Sequence, residues 1–316
     1  MDQTHIGYTG WQEPRVNVMP EVTRIEVPDA ARMGVAIEGS ADALPEFDAF
    51  NRQRHYIDVY NRGRAPFEFS AAPSVPWIVL SKTRGTIEKE ERLWVSIDWN
   101  RAPQGSASGS VTISGAGSDP VTVKVPAFNP REIDRDALQG FVEAGGYVSI
   151  EAAHYTHKTD AGAVHWEKID DYGRTLSSMT IMPCTAASAT PPANSPSLEY
   201  RMYLFDPATV QVHTILAPTL NFVPGRGLRF AISFDSQPPQ IIDALARNSL
   251  ADWELSVKDN VRMVTSTHSL SKSGYHVLKF WMVDPGVVLQ KFIIDLGGLK
   301  PSYLGPPESY RAVTRR

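Results

Sequence analysis

Cysteine is almost missing from this chain: Cys184 is the only one in 316 residues. That excludes an internal disulfide and a multi-thiolate zinc site, and it leaves the compartment open. An excess of positive charge is also missing. Lys and Arg total 31 against 35 Asp and Glu, a net charge of −4, so the chain has no electrostatic footprint for nucleic acid. No stretch approaches the roughly 20 apolar residues of a membrane-spanning helix, and no membrane partner is expected. Met1-Asp2-Gln3-Thr4-His5 has neither the positive start nor the apolar stretch of a signal peptide. Phosphate-cradling and dinucleotide-binding glycine motifs are absent. Gly105-Ser106-Ala107-Ser108-Gly109 has alanine where a nucleophile elbow needs serine. No internal repeat appears at solenoid spacing.

What is present suits ordinary folded domains. The apolar fraction of 42% is enough for packed cores, and the length suggests about two domains. Short alternating runs recur, such as Tyr56-Ile57-Asp58-Val59-Tyr60 and Leu93-Trp94-Val95-Ser96-Ile97. Phe67-Glu68-Phe69, Trp77-Ile78-Val79-Leu80, Val111-Thr112-Ile113 and Val121-Thr122-Val123-Lys124-Val125 are similar. Turn residues separate them, among them Asn61-Arg62-Gly63, Arg84-Gly85 and Gly115-Ala116-Gly117. Short strands at this spacing predict a β-sandwich of the immunoglobulin-like kind. A second set follows: 147–155, 198–205, 209–217, 228–234, 276–283 and 287–294. Pro285-Gly286 after Asp284 predicts a tight turn, with Pro presetting φ and Gly accepting a positive one. Residues 252–261 carry Trp253, Val257 and Val261 at helical spacing. The fold class expected is all-β, with two sandwiches, immunoglobulin-like then jelly-roll or carbohydrate-binding-module-like. The expected boundaries are an extended leader at 1–28, a first sandwich at 29–129, and a connector at 130–146. A second sandwich at 147–310 and a basic tail at 311–316 complete the chain. The connector is expected to hold a short helix, with Asp134, Asp136 and Glu143 exposed.

One stretch is specific as a string: Phe280-Trp281-Met282-Val283-Asp284-Pro285-Gly286-Val287-Val288-Leu289-Gln290-Lys291, running on through Ile294-Asp295-Leu296-Gly297-Gly298-Leu299 to Ser309. It closely resembles the C-terminal end of glycoside hydrolase family 115, the xylan α-glucuronidases. Tyr147-Val148-Ser149-Ile150-Glu151-Ala152-Ala153-His154-Tyr155, Tyr172-Gly173-Arg174, Ala217-Pro218-Thr219-Leu220-Asn221-Phe222, Gly227 to Asp235, Lys258-Asp259-Asn260 and Val261-Arg262 agree with it in order. His5-Ile6-Gly7-Tyr8-Thr9-Gly10-Trp11-Gln12 resembles the segment leaving the family's helical domain. Ala153 stands where relatives often carry a second acidic residue.

The resemblance implies a non-catalytic accessory region. The family's catalytic barrel, its N-terminal domain and its helical domain have no counterpart in the sequence. Implied partners are xylan or glucuronoxylan, the catalytic domains of a parent enzyme and a second copy in a homodimer. The parent would be a secreted or periplasmic bacterial protein. An autonomous xylan- or uronate-binding module and an unrecognised carbohydrate-active hydrolase or esterase stay open as alternatives.

For sugar binding, Trp166, Tyr172 and Arg174 are the candidate residues: aromatic rings cover apolar sugar faces, and a guanidinium pairs a uronate carboxylate. The competing reading makes Trp166 a core residue and Arg174 a local partner of an acid. No cofactor is expected beyond a structural calcium, with Glu151 and Asp295 as its candidate ligands; calcium needs six to eight oxygens. His154, His157 and His165 form a weaker metal candidate, since a spacing of three sends side chains to opposite strand faces.

Overall fold

The structure, a computed structural model, describes residues 26–39 and 42–312. The leader up to residue 25 and the tail from 313 lie outside the described residues, as does the resemblance at 5–12. The chain divides into two compact units. Of the described residues, one comprises those up to Pro45, His55–Val95 and Gly109–Val125; the other comprises Glu46–Arg54, Ser96–Ser108 and those from Pro126 on.

The strands up to Asn129 form two sheets. They are β1 (Met33–Ile37), β2 (Phe47–Asp48), β3 (His55–Asn61), β4 (Phe67–Pro73), β5 (Ile78–Leu80), β6 (Arg84–Ile87), β7 (Glu90–Ile97), β8 (Gly105–Ser114) and β9 (Val121–Asn129). The sheet orders are β1-β3-β7-β5 and β2-β9-β8-β4-β6. Alternation sends Ile57, Val59, Leu93 and Val95 inward from one sheet and Phe67, Phe69, Val111 and Ile113 from the other; all are buried. Arg84 and Gly85, expected as a turn, belong to β6 and pair with Ser70 and Phe69.

The strands after Asn129, all in the second unit, are β10 (Gly140–Val142), β11 (Tyr147–Glu151), β12 (His157–Thr159), β13 (His165–Ile169), β14 (Ser178–Met182), β15 (Ser197–Leu204), β16 (Thr209–Leu216) and β17 (Arg229–Phe234). Then come β18 (Gln240–Asp243), helix α1 (Leu250–Asp259), β19 (Arg262–Ser269), β20 (Gly274–Met282), β21 (Leu289–Asp295) and β22 (Arg311–Ala312). One sheet runs β18-β17-β20-β15-β10-β22 with β12 on β15. The facing sheet runs β13-β14-β21-β16-β19 with β11 on β21. Phe280, Tyr200, Leu278 and Phe230 from the first meet Phe292, Ile294, Val212 and Val148 from the second in one buried core. The chain is thus all-β, with two β-sandwiches.

Four local expectations need correction. Residues 131–139 contain no helix, because the Asp134 side chain accepts the N–H groups of Asp136 and Ala137 and folds the backbone into a turn. Glu143 is not exposed: its carboxylate accepts the Phe205 N–H, and burial raises its pKa. Helix α1 does form, started by a Ser249–Asp252 capping box, but Asn260 in the left-handed region stops it before Val261. Val257 is 52% exposed, and the helix buries Ser256 instead. Arg311 and Ala312, expected in a basic tail, pair with β10. The Asp-Pro-Gly turn joins β20 to β21, with Gly286 at φ 99°.

Candidate functional site

The sheet face turned away from the core carries a groove of about 1020 Å³ in the second unit. Its floor follows from strand alternation. On β16, Val210, Val212, Thr214 and Leu216 point inward, leaving Gln211, His213 and Ile215 on the outer face. Register then sets their neighbours. Gln211 lies opposite Asp295, His213 opposite Ile293, and Ile215 opposite Lys291 on β21. His213 lies opposite Thr265, and Ile215 opposite Met263, on β19. Leu255 and Asp259 of α1, together with Leu299, Ser302 and Leu304 from the segment after β21, also line the groove.

Strand β21 is buried along nearly its whole length, one face in the core and the other beneath this segment. At its start Leu216 pairs with Leu289 but Ile215 pairs with Lys291, so Gln290 is one residue too many. Such a bulge re-aims a side chain. Gln290 Oε1 accepts the Arg174 N–H at 2.9 Å, and its amide donates to Asn260 O at 3.4 Å.

His213 holds the middle of the floor. Its Nδ1 lies 2.9 Å from Thr265 Oγ1, and its Nε2 is 3.9 Å from Asp295 Oδ2. Asp295 Oδ1 accepts the N–H groups of Gly297 and Leu299. Lys291 is 4% exposed; its ammonium meets Glu151 Oε1 at 3.1 Å and Pro306 O at 2.8 Å. Thr175 Oγ1 donates to the same Glu151 oxygen at 2.6 Å. This row of donors and acceptors beside apolar Ile215, Met263 and Leu304 can hydrogen-bond hydroxyls and cover apolar faces of one ligand.

Of the three sugar-binding candidates, only Arg174 lines the groove. Trp166 is 3% exposed, with its ring tilted against Phe280 at 5.6 Å between centroids. It offers no face to a ligand, and the pattern of β13 explains why: Trp166 is its one buried position. Tyr172 is 46% exposed and stands apart from the groove lining. Arg174 donates from Nε and Nη2 to Asp259 O and from Nη1 to Tyr303 O, and its guanidinium lies 4.1 Å from the Tyr303 ring centroid. It ties the end of α1 to the segment after β21, and among the described residues it pairs with no acid side chain.

The calcium pair is not brought together either. Glu151 lies opposite Lys291 and Asp295 opposite Tyr147. Four residues along a strand separate them by about 13 Å. An ammonium already sits against Glu151, so the two do not fit one calcium ion. His154 binds both oxygens of Glu308 at 2.7 and 2.8 Å, while His157 and His165 are exposed. Among the described residues no three His, Cys, Asp or Glu side chains converge as a metal site, and no helix is long and apolar enough to cross a membrane.

Residues 140–308, more than half of the chain, match the family model described as the glycosyl hydrolase family 115 C-terminal domain. The chain belongs to that family. The match takes in the whole groove lining and every strand of the two sheets except β22. A solved family 115 4-O-methyl-α-glucuronidase, BtGH115A, described as specific for decorated arabinogalactans, is 19% identical with a TM-score of 0.34. The likeness covers 44% of this chain and 17% of that one. The C-terminal family 6 carbohydrate-binding module of LamC from Zobellia galactanivorans is 13% identical over 47% of this chain and 98% of that one, TM-score 0.32. A family 35 module from Clostridium thermocellum is 10% identical over 47% and 96%, TM-score 0.31. At these TM-scores the three add nothing to the family match. No protein of curated function matches the chain.

Sequence reading missed His213, Thr265 and Arg262 as a set, since they come from strands that meet only through pairing. The one signal available was the alternation in 209–217, which puts Gln211, His213 and Ile215 on one face.

Proposed function

We propose that the chain is the non-catalytic C-terminal accessory region of a family 115 xylan α-glucuronidase and that its groove binds the glucuronoxylan chain. The observation that carries this reading is the groove floor of Gln211, His213, Thr265 and Asp295, in a domain matched to the C-terminal part of a glycosyl hydrolase family. Sugars present equatorial hydroxyls and apolar ring faces, and the groove has partners for both. Leu250, Val257, Tyr303 and Leu304 are each more than half exposed. They support packing against the catalytic domains or a second copy in a dimer.

The test is calorimetric titration of the chain with glucuronoxylan and with unsubstituted xylan, with release of glucuronic acid followed in the same samples. Binding without release is expected, and His213→Ala is expected to weaken binding about tenfold, the equivalent of about one lost hydrogen bond. Sustained release of glucuronic acid by pure protein sinks the non-catalytic reading. Absence of binding to either polymer sinks the groove as a glycan site and leaves packing and dimer formation.

A further inference from the structure

Two walls bound the groove, and they are joined at one place. One wall is α1, through Leu255, Ser256 and Asp259; the other is the segment after β21, through Leu299, Ser302 and Leu304. Arg174 is the join. Its Nε and Nη2 donate to Asp259 O at the end of α1, and its Nη1 donates to Tyr303 O. Bonds from a charged donor are stronger than neutral ones, so the join is firm. It is fixed to the floor as well. The Arg174 N–H donates to Gln290 Oε1, and Gln290 Nε2 donates to Asn260 O just past the helix. Gln290 is buried, so this anchor is shielded from water. The far ends of the walls are not joined. Asp243 and Asp252 turn to Leu245 and Ser249, and the Leu299 N–H turns to Asp295. Among the described residues no hydrogen bond or ion pair links 243–252 with 298–302.

Strand register gives the floor a direction. The row Met263, Ile215 and Lys291 lies beside Gln290 and the join. The row Thr265, His213 and Ile293 follows, then Gln211 and Asp295. Four residues along a strand separate the first row from the last by about 13 Å. Ile215 and Met263 make the floor apolar beside the join. His213, Thr265, Gln211 and Asp295 make it polar beyond.

We propose that the groove is a blind pocket for the end of a linear sugar chain, and that Arg174 closes it. This deepens the reading of the groove as a glycan site and rests on it. A chain passing straight through needs both ends of the groove open. A chain entering past Gln211 and Asp295 runs along the floor and stops against Arg174 and Tyr303. Its last ring lies on Ile215 and Met263, between Leu255 and Leu304, which match an apolar ring face. The hydroxyls of the rings behind it reach His213, Thr265 and Gln211. A single-ring side branch fills only the row beside the join and leaves the polar rows unused. Arg174 is a positioning residue: its guanidinium is taken up by two protein carbonyls, so it shapes the groove without gripping the ligand.

The experiment is calorimetric titration of the chain with linear, unsubstituted xylo-oligosaccharides of increasing length, and with glucuronoxylan. One protein is expected per linear chain at every length, because such a chain has one end of each kind. Affinity per chain should rise until the floor is filled, then change less than about twofold when the length doubles. A groove open at both ends takes more copies as the chain lengthens. That result overturns the proposal while leaving the groove as a glycan site. Binding of glucuronoxylan without binding of any linear ligand also overturns it. Binding of neither removes the groove reading and this inference with it. Arg174→Ala, with folding checked by circular dichroism, is expected to part the walls, so that the number bound grows with chain length. One protein per chain in that folded variant overturns the role of Arg174. The length series on the unaltered chain decides the proposal even where the variant does not fold.

Discussion

The second unit contains two cross-strand Glu–Lys pairs on the outer faces of its two sheets, and their surroundings differ. On one sheet Glu199 of β15 lies opposite Lys279 of β20, 3.4 Å apart, with both side chains about a quarter exposed. On the other, Glu151 of β11 lies opposite Lys291 of β21, 3.1 Å apart, with side chains only 7% and 5% exposed. Residue types, register and distance nearly coincide. What differs is the segment at 298–309, which covers Lys291 and accepts from it through Pro306 O. The exposed face satisfies its groups sideways: Trp281 Nε1 donates to Ser233, and Arg201 lies over Tyr275. The covered face makes its polar groups depend on a layer above. An ion pair therefore has no fixed worth; the layer above it sets its energy.

The largest expected effect breaks the covered pair. Lys291→Met leaves Glu151 buried without a counter-charge and is predicted to cost about 3–5 kcal/mol in thermal or denaturant unfolding. Adding Glu151→Leu should recover most of that loss. A single-variant cost under about 1 kcal/mol would mean the two pairs are equivalent after all.

The next concerns Asp284, which is 1% exposed in the turn between β20 and β21. Burial alone would raise its pKa. The hydrogen bonds from Arg229 and Ser188 outweigh that and hold it below the usual carboxylate range. A carboxyl depressed on folding contributes stability above its unfolded value of about 3.9 and loses it as pH falls through the lower folded value. Asp284→Asn should cost about 1.5–3 kcal/mol at neutral pH. The gap to the unaltered chain should close as pH drops below about 4. A gap independent of pH would show that the carboxylate's charge contributes nothing.

A smaller effect tests the covering segment. The Ser149 hydroxyl donates to Pro306 O, and Ser149 N–H donates to Ser309 Oγ. Ser149→Ala keeps the second bond and loses the first, and is predicted to cost about 1 kcal/mol. Faster proteolysis should then be confined to the segment around 298–309. The smallest effect is Lys279→Met on the exposed face, below about 1 kcal/mol and weaker still at high salt. A larger loss would remove the contrast.

Strand placement was legible in the sequence because alternation is a local property. Tyr56-Ile57-Asp58-Val59-Tyr60 reads as a half-buried strand and 209–217 as a strand, and the structure has β3 and β16 there. Family membership was legible in the string around Asp284-Pro285-Gly286. The site was not. Trp166 and Arg174 are close in sequence, yet an inward position on β13 takes one into the core while two backbone carbonyls hold the other. Sequence proximity carries no information about which face of a sheet a residue joins. Arg262 was equally hidden, since its hydrogen-bond partners lie 14–18 residues away in the sequence.

The extra residue at Gln290 gives β21 an unusual tolerance. Because Leu216 and Ile215 are consecutive while their partners are Leu289 and Lys291, in-and-out phase is kept across the bulge only by counting Gln290 out. Losing that residue leaves Phe292 and Ile294 facing the core and shortens only the reach towards Arg174. Losing Ile293, two steps inside the regular ladder, shifts the remainder by half a period and exchanges core residues for groove residues. Two neighbouring deletions in one strand thus differ in kind: one edits the groove, the other inverts the sheet.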